Sequence, residues 1–141
     1  MASHDKLAHL QKYKEWTPTL LRIVVGVLFF IHGTSKLTGW DGWSGTITGT
    51  LGLPVLFAHL VIWVEILGGA LLIIGLLTRY AAIALGFIMV VAIAAVKAPS
   101  GFMKGELDYT LLAILISLLI TGPGKLALDA KKTSKKPAQA S

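Results

Sequence analysis

The sequence predicts an all-α integral membrane protein, a four-helix bundle, and three observations carry that prediction. Of its 141 residues, 55% are hydrophobic and 14% charged, well under the roughly 25% charged residues of soluble domains. The apolar residues gather into four runs, each near the ~20 residues a helix needs to cross a bilayer. The lysines and arginines crowd at the two termini and at one tight turn, an asymmetry that sets membrane topology.

Residues 1–16 form a basic N-terminal segment with Lys6, Lys12 and Lys14. Leu7, Leu10 and Tyr13 fall near helical spacing, which suits a short helix lying on the membrane surface. Span 1 is expected at about residues 17–37, with Pro18 fitting its first turn. The run is too long for a signal-peptide core, and no A-x-A pattern follows it, so it reads as a retained span. In the connection 38–54, Trp40, Trp43, Ile47 and Leu51 recur at three- and four-residue steps beside a stripe of Gly42, Gly45, Gly49 and Gly52. A short interfacial helix across the outer mouth of the bundle satisfies that pattern, with the tryptophans at headgroup level; a flexible glycine loop is the alternative.

Span 2 is expected at about 55–77, after Pro54, and span 3 at about 80–98, ending before Pro99. Span 4 is expected at about 102–121, with Lys104, Glu106 and Asp108 in its first turns and Gly122-Pro123-Gly124 at its end. The membrane domain thus covers 17–130, and 131–141 reads as a lysine-rich disordered tail. Lys6, Lys12, Lys14, Arg79, Lys125, Lys131, Lys132, Lys135 and Lys136 fall on one side, against Lys36, Lys97 and Lys104 on the other. The positive-inside rule then places both termini in the cytoplasm of a cell inner membrane protein. The net charge of +6 is spent on topology and lipid headgroups. No basic stripe interleaved with aromatics is present, so no nucleic-acid partner is expected. Cysteine is absent, which excludes a thiol–disulfide relay, a cysteine-ligated cluster and covalent haem in this chain.

Glu65 stands near the middle of span 2, where a charge costs roughly 2.5–3.5 kcal/mol on insertion scales. Arg22, Gly26, Phe29, Gly33 and Lys36 share one face of span 1, flanked by His32. Ala58, Glu65, Gly69, Leu72 and Arg79 share a stripe of span 2, and the small residues on both faces suit close packing of one on the other. Span 3 offers Ala81, Ala84, Ala92 and Ala95 for close packing, whereas span 4, rich in Leu and Ile, reads as lipid-exposed. At ~1.5 Å rise per residue, Arg22 lies at about 7 Å from the cytoplasmic end, Glu65 at about 18 Å, His32 at about 22 Å, and Lys36 and His59 at about 27–28 Å. His32 is therefore the expected partner of Glu65, with Arg22 also in reach. Either the pair moves protons or binds a ligand, the default for intramembrane ionisable groups, or it only fixes helix register. Lys36 and Arg79 either snorkel to headgroups or meet an anion inside the bundle, and His59 suits the interface. Bis-histidine haem b from His32 and His59 has no further support in the sequence, and no metal site is expected.

Taken together, Arg22 to Gly26, His32-Gly33 with Lys36, Gly52-Leu53-Pro54, Glu65 with Gly68-Gly69, Gly75, Thr78-Arg79, Gly101, Glu106, Gly122-Pro123-Gly124 and Leu128-Asp129 resemble the DoxX family of small bacterial and archaeal membrane proteins. The resemblance covers about residues 17–130. It implies a four-helix membrane bundle and a link to respiratory redox chemistry. The family takes its name from a subunit associated with a terminal quinol oxidase, and relatives form the membrane part of a thiosulfate:quinone oxidoreductase. On that reading the chain is a membrane subunit of a redox complex that binds quinone or quinol in the bundle. Glu65 and His32 would handle protons, Lys36 and His32 would donate hydrogen bonds, and Phe29, Phe30 and Trp63 would contact the ring. Arg22, His59 and Arg79 are further candidate ligand contacts. Electrons would come from a redox partner subunit. The alternatives are a non-catalytic scaffold or assembly subunit, and a homo-oligomeric carrier of ions or small molecules. Fold resemblance of this kind fixes architecture better than function.

Overall fold

A computed structural model describes residues 9–134, and they are helical with no strand among them. Residues 1–8 and 135–141 lie outside the described residues, and with them Lys6, Leu7, Lys135 and Lys136. A 3-10 segment, His9–Trp16, runs directly into α1, Thr17–Thr38, with Pro18 in the first turn. A short helix α2, Trp40–Gly45, and a π-turn, Thr46–Thr50, follow. The helical form of the 38–54 connection thus prevails over the glycine loop. The remaining elements are α3, Leu56–Ile74; α4, Thr78–Ala92, prolonged by a π-turn to Lys97; α5, Glu106–Thr121; and α6, Leu128–Ser134.

Leu10–Thr38, Leu56–Ile74 and Thr78–Ser100 are long and apolar enough to cross a membrane. The fourth long helix, α5, has 16 residues and is preceded by a 3-10 turn at Phe102–Gly105. In order α1, α3, α4 and α5 each pack on the next, and α5 returns to α1. The bundle therefore has a tryptophan end, holding α2 and the 98–105 connection, and a basic end, holding Trp16, the α3–α4 turn and α6.

The α1–α3 contact is the tightest, and its cause is the absence of Cβ atoms. A Cβ built on Gly69 would stand 2.7 Å from the Gly26 carbonyl oxygen and 2.8 Å from the Phe30 nitrogen, and one on Gly26 would stand 2.8 Å from the Gly69 carbonyl oxygen. The two backbones touch there, as small residues allow between membrane helices. The faces expected to pack on each other do so, except that Arg79 falls in α4 and is exposed: Arg22, Val25, Gly26, Phe29 and Gly33 of α1 are buried, as are Ala58, Ile62, Glu65, Gly68, Gly69 and Leu72 of α3. Away from this seam the core is Ala81, Ala82, Leu85 and Met89 of α4 with Leu111 and Leu115 of α5.

Several boundaries and faces differ from the sequence reading. Span 2 ends at Ile74 rather than 77, because Gly75 takes a left-handed conformation (φ 73°) and closes the helix on Leu71. Helix α4 begins at Thr78 rather than 80, because the carboxylate of Asp129, remote in the chain, accepts from its first backbone N–H groups. Ala84 and Ala95 point outward while Ala82, Leu85 and Met89 turn in. Helix α5 is not simply lipid-facing, since Leu111, Leu115 and Leu118 make a buried stripe opposite the exposed Ile116 and Ile120. Residues 131–134, expected in a disordered tail, complete α6.

Candidate functional site

The site forms where α1 and α3 cross. Gly33 sits against the Ile62 carbonyl and Ile66, so the α1 backbone passes close to α3 just before Lys36. From there Lys36 reaches back along the bundle and its Nζ donates to Glu65 Oε1 at 2.6 Å. Glu65 is 1% exposed and Lys36 21%. The Lys36 ammonium also lies 4.1 Å from the centre of the Trp43 ring, within the range of a cation–π contact. The Trp43 indole N–H donates to the Ala58 carbonyl at 3.1 Å, and Trp40 stacks on His59 at 4.3 Å. Two tryptophans of α2 are thus pinned to the first turn of α3, and α2 lies across the pair as a strap.

Glu65 does not pair with His32. The His32 ring uses Nδ1 on the Leu28 carbonyl of its own helix, 2.8 Å away. A carbonyl only accepts, so Nδ1 carries a proton. Height alone favoured His32, but a lysine stem spans the remaining distance and a flexible ammonium finds the carboxylate. His32 and Asp108 remain near enough to act on Glu65 electrostatically. Asp108, at the start of α5, faces Lys97 at 3.8 Å, so the tryptophan end carries a second, looser ion pair. The second oxygen of Glu65, Oε2, is buried and has no hydrogen-bond partner among the described residues.

The other candidate residues scatter. Phe29 is buried in the core at 1% exposure, whereas Phe30 and Trp63 face outward, so the three do not line one slot. His59 is exposed apart from its stacking partner. Arg22 does not reach toward Glu65: it is 1% exposed at the basic end, and its Nη1 donates to the Leu72 carbonyl and, at 2.8 Å, to that of Ile73. It therefore caps the C-terminus of α3, where unsatisfied carbonyls attract a cation. Arg79 is exposed at the same end.

Asp129 completes this second centre. Its two carboxylate oxygens accept from the Leu77 and Thr78 backbone N–H groups at 2.9 and 2.8 Å, and its own N–H donates to the Gly75 carbonyl at 3.0 Å. The α3–α4 turn, with Leu77 at φ 50°, is thus held by a cation on one helix terminus and an anion on the next. Sequence periodicity cannot find Asp129, because its partners are remote in the chain. Asp108 and Trp43 were visible as an acidic helix start and part of an aromatic stripe, without a sign of what they face.

A model of the DoxX family matches residues 17–98. The chain belongs to the DoxX family. Both members of the Lys36–Glu65 pair and Arg22 lie within the matched stretch, while Asp108 and Asp129 lie beyond it. Among related proteins, a Bacillus subtilis protein named "Putative oxidoreductase CatD" is 40% identical over 111 residues, 78% of this chain and 82% of that one. An uncharacterized membrane protein of Mycobacterium tuberculosis is 34% identical over 84% of this chain and 82% of its own length. The inner membrane protein YqjF of Escherichia coli is 29% identical over 85% of this chain and 95% of its own. No solved structure matches the chain. A DoxX-family membrane protein with several bilayer-length apolar helices is therefore the established frame for its function.

Proposed function

We propose that this DoxX-family protein is the membrane subunit of a redox complex, and that the Lys36–Glu65 site binds a quinone or quinol and handles its protons. The observation that carries the proposal is Glu65 Oε2, a buried carboxylate oxygen without a partner among the described residues. Buried polar atoms are nearly always hydrogen-bonded, so an orphan acceptor calls for a donor beyond the described residues. A quinol hydroxyl is such a donor, and the adjoining Lys36 ammonium and Trp43 face suit an aromatic ring with polar edges. The name of the Bacillus subtilis relative points the same way.

A quinone would supply two-electron, two-proton carrier chemistry at this site. The chain's own residues do the rest. Glu65 Oε2 accepts a hydrogen bond and then a proton. Lys36 balances the carboxylate charge while Glu65 is ionised, and relaxes toward the headgroups on its flexible stem when the charge is gone. His32, one turn below Lys36, leaves its Nε2 as a second group for protons. The ring contacts come from Trp43 and the tryptophan end, not from Phe29 in the core. A partner subunit exchanges the electrons. The same proposal sets the basic end in the cytoplasm, α5 as a fourth crossing, and the site opening toward the outer face.

Purification in mild detergent followed by organic extraction tests the proposal. Quinone is expected in extracts of the wild type and in much reduced amount from Glu65→Gln, which keeps its fold. Empty extracts, together with no shift in thermal midpoint on adding a short-chain quinone, would overturn it. The second reading, a scaffold subunit, is favoured by the way Lys36–Glu65 and Arg22 both tie α1 to α3. It wins if Glu65→Gln prevents assembly of the complex.

A further inference from the structure

We propose that the groove between α1 and α5 at the basic end is a binding site for one anionic phospholipid. The proposal is independent of the redox reading, since the groove lies at the opposite end from Lys36. Its origin is the packing of α1: the glycine crossing draws that helix onto α3, and its seam with α5 is looser. The result is a groove of about 610 Å³ with Lys14, Thr17, Pro18 and Leu21 on one wall and Ser117 and Thr121 on the other. An adjoining groove of about 310 Å³ continues past Thr121 to Lys125 and Gly124. Volumes of this size fall in the roughly 300–1,000 Å³ range of small-ligand sites.

The groove offers the three kinds of surface that a phospholipid meets: apolar, hydroxyl and cationic. Leu21 and Pro18 give it apolar surface. Thr17 and Ser117 add hydroxyls at two depths about one helical turn apart, whereas the Thr121 hydroxyl is already committed to the Ser117 carbonyl. Ammonium groups stand at the mouth. Glu15 also lines the groove, but Lys125 neutralises it at 2.6 Å. Lys14 makes no ion pair among the described residues, so the mouth carries one uncompensated positive charge. A phosphodiester brings one negative charge, and basic pockets between membrane helices bind such headgroups. The flanking Leu20 and Ile120 are 64% and 74% exposed, which presents the apolar walls to hydrocarbon and favours a lipid over a free anion.

The full chain is reconstituted in nanodiscs of phosphatidylcholine with a minor share of phosphatidylglycerol, then extracted and washed, and the retained lipid is weighed by mass spectrometry. Phosphatidylglycerol is expected to be enriched severalfold over its bulk share in the wild type. Lys14→Gln, an exposed change that leaves the core intact, should bring the ratio back to bulk. Ser117→Leu, which fills the groove and keeps every charge, should reduce total retained lipid. Retention at the bulk ratio in the wild type overturns the proposal, and so does an equal loss on Lys97→Gln at the other end. A thermal shift produced by inorganic phosphate alone overturns the lipid assignment in favour of a free anion.

Discussion

Glu65 and Lys36 are not symmetric partners, although they share one hydrogen bond. Glu65 is enclosed at 1% exposure, while Lys36 keeps 21% and has a stem long enough to reach the headgroup level. Removing the lysine strands a buried charge, which costs on the order of 3–5 kcal/mol for enclosed pairs. Removing the carboxylate charge frees a lysine that can snorkel. Lys36→Met is therefore expected to lower the thermal midpoint in detergent clearly, Glu65→Gln to change it little, and the double variant to recover most of the loss. Equal losses from both single changes would contradict this asymmetry. Glu65 was visible in the sequence because a carboxylate in an apolar run is conspicuous. Its partner was not, because rise per residue positions Cα atoms and says nothing of how far a flexible side chain reaches.

Helix contacts depend on where Cβ atoms are missing, and not all glycines matter equally. A methyl group at Gly69 would meet backbone atoms of α1 at 2.7 and 2.8 Å, whereas at Gly86 the nearest atom is 3.9 Å away, a side-chain methyl of Leu112. Gly69→Ala should force α1 and α3 apart and destabilise by about 1–3 kcal/mol. Gly86→Ala should be neutral or stabilising by up to about 1 kcal/mol, since alanine is the better helix former. Thermal unfolding of the two variants side by side checks the pair. At the α3–α4 turn, Asp129→Ala removes both acceptors from the α4 N-terminus. Loss of such a cap costs roughly 0.5–2 kcal/mol, and faster hydrogen exchange at Leu77 and Thr78 would locate the effect. The existence of these helices was legible from apolar runs, and the α1–α3 seam from glycine spacing. The ends of α3 and α4 were not, because Arg22 and Asp129 set them from across the fold.

The whole molecule divides into a basic end that binds helix termini together and a tryptophan end that covers a buried ion pair. Natural absence of cysteine makes single-cysteine labelling clean for testing how it sits in the bilayer. Ser100→Cys at the tryptophan end is expected to react with a membrane-impermeant maleimide in intact spheroplasts. Lys131→Cys at the basic end should react only after permeabilisation. Labelling of both in intact cells would mean that α5 does not cross. Exposed Leu20, Ile31, Leu60, Trp63, Leu67, Ile83 and Phe87 give the bundle an apolar exterior, consistent with lipid as its surroundings.

The sequence by itself determined the class of this protein, its helices, the seam between α1 and α3, and its DoxX resemblance. The class, the helices and the seam follow from hydropathy and spacing, which are local and additive along a chain, and the resemblance rests on the identity and order of particular motif residues. Only the tertiary structure decided that Glu65 pairs with Lys36 and leaves one oxygen without a hydrogen-bond partner among the described residues. It also turned His32 onto its own helix, set Arg22 and Asp129 about the α3–α4 turn, and parted Phe29 from Phe30 and Trp63. These are choices among side chains of comparable reach. Which hydrogen bond wins depends on rotamer, crossing distance and competing acceptors, quantities that exist only once the helices are packed.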